Sequence, residues 1–167
     1  MRLTPTIAAF ACVGLLSACA SSEPKPKEPI RLEVTVNAQS GVNPDERGRA
    51  APIVVRIYEL KNDRAFQAAD FFTLRTRDKT VFADDIVKRD EFELRPGEHQ
   101  TIVRRADPAT TGIGVLAAYR DLPNSVWRAV YAMPTAPHKA WYRLSRPKLK
   151  LIIDLEANAV RIAETKK

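Results

Sequence analysis

From residue 31 onward the chain repeats one pattern: short stretches in which apolar and polar side chains alternate. Alternation with period two places successive side chains on opposite faces of an extended strand, so each stretch predicts a strand with one buried and one wet face. In 31–37, Leu32, Val34 and Val36 share one face, and Arg31, Glu33, Thr35 and Asn37 share the other. In 53–60, Ile53, Val55 and Ile57 form a row with Arg56 and Tyr58 opposite. Residues 91–94 alternate cleanly, and 148–155 set Leu149, Leu151, Ile153 and Leu155 against Lys148, Lys150 and Asp154. Residues 100–105 are a weaker strand candidate, 126–132 carry Trp127 and Tyr131, and 159–163 form a short last strand. Residues 113–119 are apolar on both faces, as a central strand is. Pro96-Gly97 stands where a type II turn places these residues, and 156–158 fit a hairpin connection. About eight short strands with such turns predict a mainly β chain folded as a two-sheet sandwich.

Two stretches depart from the pattern. Residues 63–74 place Phe66, Ala69, Asp70 and Thr73 at helical spacing, which predicts a helix; 78–87 predict a second, shorter one. Both fall between strands two and three, so they form one helical insertion on the sandwich. The chain from Ile30 onward is long enough to bury one core. Hydrophobic residues make up 45% of the chain and charged residues 28%. That mixture is neither disordered nor fibrous. No apolar run approaches the roughly 20 residues that cross a bilayer.

The first eighteen residues predict an address. Arg2 is the only charge before Glu23, and the chain is apolar from Ile7 to Leu16, the pattern of a secretory signal peptide. Leu16-Ser17-Ala18-Cys19 then looks like a bacterial lipobox. On this reading cleavage discards Cys12 and makes Cys19 the lipidated first residue. Two or three acyl chains hold stably where one holds only marginally. Residues 19–29 are a Pro-rich polar tether, reaching about 30 Å when extended, and 30–167 are the sandwich domain. Ala20 follows the cysteine where an aspartate would direct retention in the inner membrane; by resemblance to the bacterial sorting pattern, the chain goes to the outer membrane and faces the periplasm.

Catalytic and metal-binding patterns are missing. His99 and His138 are isolated, with no second ligand at metal spacing. Asp84-Asp85 and Asp90-Glu91 are adjacent carboxylates whose side chains diverge, and they are expected to be solvated. Thr111-Gly112-Ile113-Gly114 opens a strand rather than a helix, which does not make a phosphate loop. No Gly-x-Ser-x-Gly occurs. The formal charge of +7 comes from spread positions, with little aromatic interleaving, so a solvated basic face is expected rather than a nucleic-acid site. These features predict a non-enzymatic binding module with no cofactor beyond the lipid on Cys19, no nucleic-acid partner and no small-molecule substrate.

The stretch from Val42 to Lys61 carries Asn43-Pro44-Asp45, Gly48-Arg49, Pro52 and then Arg56-Ile57-Tyr58-Glu59-Leu60-Lys61. This order resembles the TssJ (SciN-like) family, the outer-membrane lipoproteins of bacterial type VI secretion systems. Further matches lie in Ala69-Asp70-Phe71-Phe72-Thr73-Leu74, in Phe92-Glu93-Leu94-Arg95-Pro96-Gly97-Glu98, in residues 113–122 and in Trp127-Arg128. The resemblance implies a transthyretin-like sandwich. It also implies a role: anchoring the envelope-spanning secretion complex by binding the periplasmic C-terminal region of its large inner-membrane subunit, TssM. In the family the loop between strands one and two makes a main part of that contact.

Here that loop runs from about residue 38 to 51. Its length is itself a functional signal. Asn43, Pro44 and Asp45 favour a stiff turn, and Gly41 and Gly48 permit unusual backbone angles at its ends. A loop ordered in advance loses less entropy on binding. The candidate contact residues are Gly41, Val42, Asn43, Pro44, Asp45, Glu46, Arg47 and Arg49. Val42 is expected to supply the apolar contact and Asp45, Glu46, Arg47 and Arg49 the polar rim; Asn43, Pro44, Asp45 and Arg49 are equally suited to folding the loop onto its own domain. The alternative function is a periplasmic ligand-binding or carrier lipoprotein, which needs an apolar pocket that interdigitated sheets usually lack. A hydrolase on the same fold needs a His, Arg and Ser cluster that two isolated histidines do not assemble.

Overall fold

A computed structural model describes residues 26–139 and 145–165. The expected signal peptide, Cys19 and residues 20–25 of the expected tether lie outside the described residues.

The alternating stretches form eight strands: β1 (Arg31–Ala38), β2 (Ile53–Leu60), β3 (Ile86–Leu94), β4 (His99–Arg105), β5 (Gly112–Ala117), β6 (Arg128–Ala132), β7 (Lys148–Leu155) and β8 (Val160–Glu164). They make two four-stranded sheets, ordered β4-β1-β7-β8 and β3-β2-β5-β6. β1 and β7 run parallel; the other neighbours are antiparallel. The first sheet keeps the strict alternation of its sequence. Leu32, Val34 and Val36 of β1 and Leu149, Leu151 and Ile153 of β7 are buried between the sheets.

The second sheet is covered on both faces, which explains why β2 and β5 are apolar almost throughout. Ile53, Val55 and Ile57 of β2 face the sandwich core, while Tyr58 and Leu60 belong to a second cluster with Phe66, Leu74, Phe82 and Leu116. That second cluster lies under the helical insertion. Gly114 leaves room for it: a Cβ there would stand 2.9 Å from two ring atoms of Phe66.

The insertion differs from its predicted boundaries. The stretch expected as one helix over 63–74 is two, α1 (Arg64–Ala68) and α2 (Phe71–Val81). Ala69 is extended, and Asp70 restarts the helix as an N-cap, its carboxylate accepting the Thr73 N–H at 2.9 Å and the Thr73 hydroxyl at 2.6 Å. No separate helix occupies 78–87. α2 runs on to Val81, a turn brings the Ile86 N–H to the Phe82 carbonyl at 3.0 Å, and β3 starts at Ile86. The β-branched Ile86 and Val87 extend the strand that 91–94 marked out, past a register shift opposite Glu59 and Leu60.

Asp84 is exposed, as expected of a solvated carboxylate, but other charges expected to be solvated prove to be fasteners. Arg56 and Glu91 are directly cross-strand partners on β2 and β3, 2.5 Å apart. Arg56 also donates to the Leu74 and Arg75 carbonyls of α2 at 3.0 and 2.8 Å. Asp78, 3% exposed, accepts from the Tyr58 hydroxyl at 3.0 Å and from Arg89 at 2.8 Å. Arg104 of β4 reaches across to buried Glu59 at 2.5 Å and also pairs with Asp90. Arg128 caps α1 by donating to the Phe66 and Ala69 carbonyls. The pair Asp90-Glu91, and several cations expected on a wet face, therefore join helix to sheet and sheet to sheet. Adjacent carboxylates on a strand point to opposite faces, and here each face presents an arginine.

Candidate functional site

The two ends of the sandwich differ. β1 leads away from the N-terminal segment 26–30 and ends at Ala38, and β7 ends beside it at Leu155. The loop after β1 (39–52), the segment after β5 (118–127) and the β7–β8 hairpin therefore meet at the end remote from residues 26–30. The β3–β4 turn lies there too. Gly97, with φ +83°, occupies the left-handed position, and its N–H donates to the Ala38 carbonyl. That conformation is the one the predicted type II turn requires.

The β1–β2 loop is tied at three levels. At its base the Gln39 N–H donates to the Leu155 carbonyl, and the Ala51 N–H donates to the Val42 carbonyl. Val42 itself is fully buried in the sandwich core. The expectation that its side chain offers an apolar contact at the surface is corrected: the loop doubles back there, and the valine is its hydrophobic root.

Asn43 forms the second level. It is 3% exposed and has φ 50°. Asparagine tolerates this left-handed conformation better than most residues. Its carboxamide nitrogen donates to the Pro52 carbonyl at 2.7 Å, its oxygen accepts the Arg120 N–H at 2.8 Å, and its own N–H donates to the Ala157 carbonyl. Asn43 thus joins all three loops. Left-handed backbone at the start of the loop belongs to Asn43 and not to Gly41, which is exposed and has no positive φ; Gly48, with φ +75°, fills that role at the far side.

Asp45 organises the apex. One carboxylate oxygen accepts the N–H groups of Arg47 and Arg49, both at 2.9 Å; the other takes Arg49 Nε at 2.8 Å and a second guanidinium nitrogen at 2.7 Å. The Arg49 side chain followed by its N–H, with help from the Arg47 N–H, holds the Asp45 carboxyl below the ordinary aspartate range. Pro44 and Asp45 are half-buried, whereas Glu46, Arg47 and Arg49 are exposed.

Six of the expected site residues are thereby brought around one polar concavity of about 790 Å³, or lie directly beneath it. Pro44, Asp45, Glu46, Arg47 and Arg49 line it, with Asn43 below. Arg120, Asp121 and Asn158 complete the lining and were not expected from the sequence. Arg120-Asp121 sits inside a motif that carried the family resemblance, which was a usable signal; Asn158 looked only like a turn residue. Tyr119 anchors this wall from inside: it is 4% exposed, its hydroxyl donates to the Glu156 carbonyl, and burial pushes its phenol well up. The arrangement is a charged surface held in place by the hydrogen bonds of Asn43 and Asp45. It holds no proton-transfer pair and no nucleophile beside a base. Among the described residues no group of three His, Cys, Asp or Glu side chains is placed to hold a metal ion.

Residues 30–158 match the family model described as Type VI secretion lipoprotein, VasD, EvfM, TssJ. No curated protein matches the sequence. Among solved structures, the type VI secretion lipoprotein TssJ1 from Pseudomonas aeruginosa is similar, with 38% identity and a TM-score of 0.73 over 83% of this chain and 98% of that one. Serratia marcescens Lip, described as a membrane-bound component of the type VI secretion system, gives 26% identity and a TM-score of 0.71, with 83% and 99% covered. A chain of a type VI membrane complex gives 25% identity and a TM-score of 0.66, with 81% and 99% covered. The match spans most of the sequence and the relatives share the fold, so the chain belongs to the type VI secretion lipoprotein (TssJ) family.

Proposed function

We propose that the chain anchors the type VI secretion membrane complex to the outer membrane. Lipid on Cys19 holds the domain on the periplasmic side, and the face around the β1–β2 loop binds the periplasmic C-terminal region of the inner-membrane subunit TssM. The observation that carries this reading is the position of the loop. The charged apex built by Asn43 and Asp45 stands at the end of the sandwich opposite the point where residues 26–30 lead into β1. A subunit bridging a membrane to a partner needs that polarity. The similarity to a chain of a type VI membrane complex supports the same reading. The carrier alternative is less well served, because the concavity at the loop is lined mainly by charged side chains.

The test has two arms. Cys19→Ser should release the protein from outer-membrane fractions and stop secretion; a membrane-bound variant with normal secretion defeats the anchor. Glu46→Ala together with Arg47→Ala should leave the unfolding transition in place and weaken binding to the TssM periplasmic segment at least tenfold in calorimetry. Unchanged affinity takes the loop out of the interface.

A further inference from the structure

The tether end carries an arrangement that the family role does not use. β1 is flanked by β4 and β7, and its first residue, Arg31, is in register with Arg105 on one side and Lys148 on the other. Three cations therefore stand in one cross-strand row on the outer face of the sheet. Like charges directly opposite one another destabilise a sheet. The next row brings limited relief: Glu33 pairs with Lys148 at 3.2 Å and with Lys150 at 3.0 Å. Arg31, Arg105 and the adjacent Arg146 are exposed and have no ion-pair partner among the described residues. Arg104, by contrast, is used internally by Glu59 and Asp90.

These cations surround a cleft of about 300 Å³, lined by Pro29, Arg31, Val103, Arg104, Arg105, Arg146 and Lys148. Val103 contributes an apolar patch that is 52% exposed. The cleft therefore offers guanidinium groups for phosphate oxygens beside an apolar surface for glycerol or acyl carbons.

The chain leads from this cleft to the anchor. The tether is already fixed to the domain at residues 26–28: the Glu28 N–H donates to the Pro137 carbonyl at 2.7 Å, and the Lys139 N–H donates to the Pro26 carbonyl at 3.0 Å. Only residues 19–25 lie between the lipid attachment point and that fastening. A segment of that length spans at most about 25 Å, which confines the cleft close to the bilayer and raises its effective concentration there.

We propose that this cationic end docks on anionic phospholipid headgroups of the membrane that holds the anchor, through Arg31, Arg105, Arg146 and Lys148. Docking turns the β1–β2 loop away from the bilayer. The proposal rests on Cys19 being the lipid attachment point, and it adds a second, electrostatic membrane contact to it. An acyl anchor plus a basic patch is a stronger membrane signal than either alone.

The test uses the processed, acylated chain in vesicles of phosphatidylglycerol mixed with phosphatidylcholine, or of phosphatidylcholine alone. Val103→Cys carries an environment-sensitive dye at position 103; a control carries it at position 46 after Glu46→Cys. The position-103 dye should shift to the blue and resist an aqueous quencher only in the anionic vesicles. High salt should reverse this, and position 46 should respond in neither. A dye at position 103 that reports the same exposure in both vesicles overturns the docking.

Arg31→Gln, Arg105→Gln and Arg146→Gln together should abolish the shift. By sedimentation, unacylated protein should bind anionic vesicles about fivefold more weakly for each cation removed, and equal binding by the triple variant also overturns the proposal. If mass spectrometry finds no acyl chain on Cys19, the anchor reading has failed and the proposal falls with it; an acylated chain whose position-103 dye ignores the anionic lipid overturns the docking alone. Competition by inorganic phosphate beyond that of chloride at equal ionic strength would assign the cleft to a free anion instead of a membrane.

Discussion

The carboxamide oxygen of Asn43 accepts the backbone N–H of Arg120 at 2.8 Å, joining two loops 77 residues apart in sequence. The same side chain holds the Pro52 carbonyl at 2.7 Å, and the residue sits at φ 50°. Asn43→Ala strands both part-buried partners, the Pro52 carbonyl and the Arg120 N–H, and places a Cβ with no compensating hydrogen bonds in left-handed backbone. A loss of about 3 kcal/mol in urea unfolding is expected. Asn43→Gly keeps the backbone conformation and should lose less. Equal losses would remove the backbone part of the argument, and a wild-type midpoint for Asn43→Ala would remove all of it.

Asp45 acts locally. It closes the apex by accepting the Arg47 and Arg49 N–H groups, and among the described residues its carboxylate takes no hydrogen bond from another element of the sandwich, only the charge of nearby Arg120. Asp45→Ala should leave the thermal midpoint close to wild type and speed hydrogen exchange at the Arg47 and Arg49 amides, which lose their acceptor. Binding to the TssM segment should weaken, because the loop must then be ordered during binding. Protected amides in Asp45→Ala would show that the backbone turn closed by the Gly48 N–H and the Asp45 carbonyl is sufficient by itself.

Gly114 makes a sharper demand on packing. A Cβ at this position meets two Phe66 ring atoms at 2.9 Å and a Leu60 methyl at 3.0 Å. All of these lie in the cluster under the helices, where little can move. Gly114→Ala should cost about 2 kcal/mol through overpacking. Phe66→Leu introduced with it should cost less than the sum of the two single changes, since the smaller side chain yields the space. Additive losses would show that the strand, rather than the ring, carries the strain.

These positions also mark what was legible in the sequence. The first sheet was readable because β1 and β7 have one wet face, and period-two alternation reports that directly. The place of the insertion is legible in the sequence, but its division into α1 and α2 is not. Helical spacing persists across Ala69 and Asp70, while the break comes from a side chain capping a new helix, a choice that propensity alone does not make. The loop is legible from its length and turn residues, but the burial of Val42 is not, because exposure depends on how the loop folds back rather than on where it lies in the chain. Arg120, Asp121 and Asn158 join the site only through tertiary contact. The carboxylates of Asp90-Glu91 could not be paired in advance for the same reason: Arg56 and Arg104 approach from different strands and different sheets.

The buried carboxylate of Asp78 makes stability depend on pH in a definite direction. Burial by itself raises an aspartate, but hydrogen bonds from Arg89 and Tyr58 outweigh it and hold Asp78 below its ordinary range. Tyr58, pushed up to about 12 chiefly by burial, stays a neutral donor throughout. A carboxyl whose folded pKa lies below its unfolded value, near about 3.9, stabilises fully above that value and loses its contribution as pH falls through the folded pKa. The wild-type urea midpoint should therefore fall on acidification below about pH 5. Asp78→Asn should be less stable at neutral pH by about 3 kcal/mol, because Arg56 and Arg89 lose a buried counter-charge, and should show a shallower acid decline. Glu91, also held low by Arg56 against its own desolvation, keeps part of that decline in the variant. An acid decline in Asp78→Asn as steep as in the wild type would move the linkage from Asp78 to the remaining carboxylates.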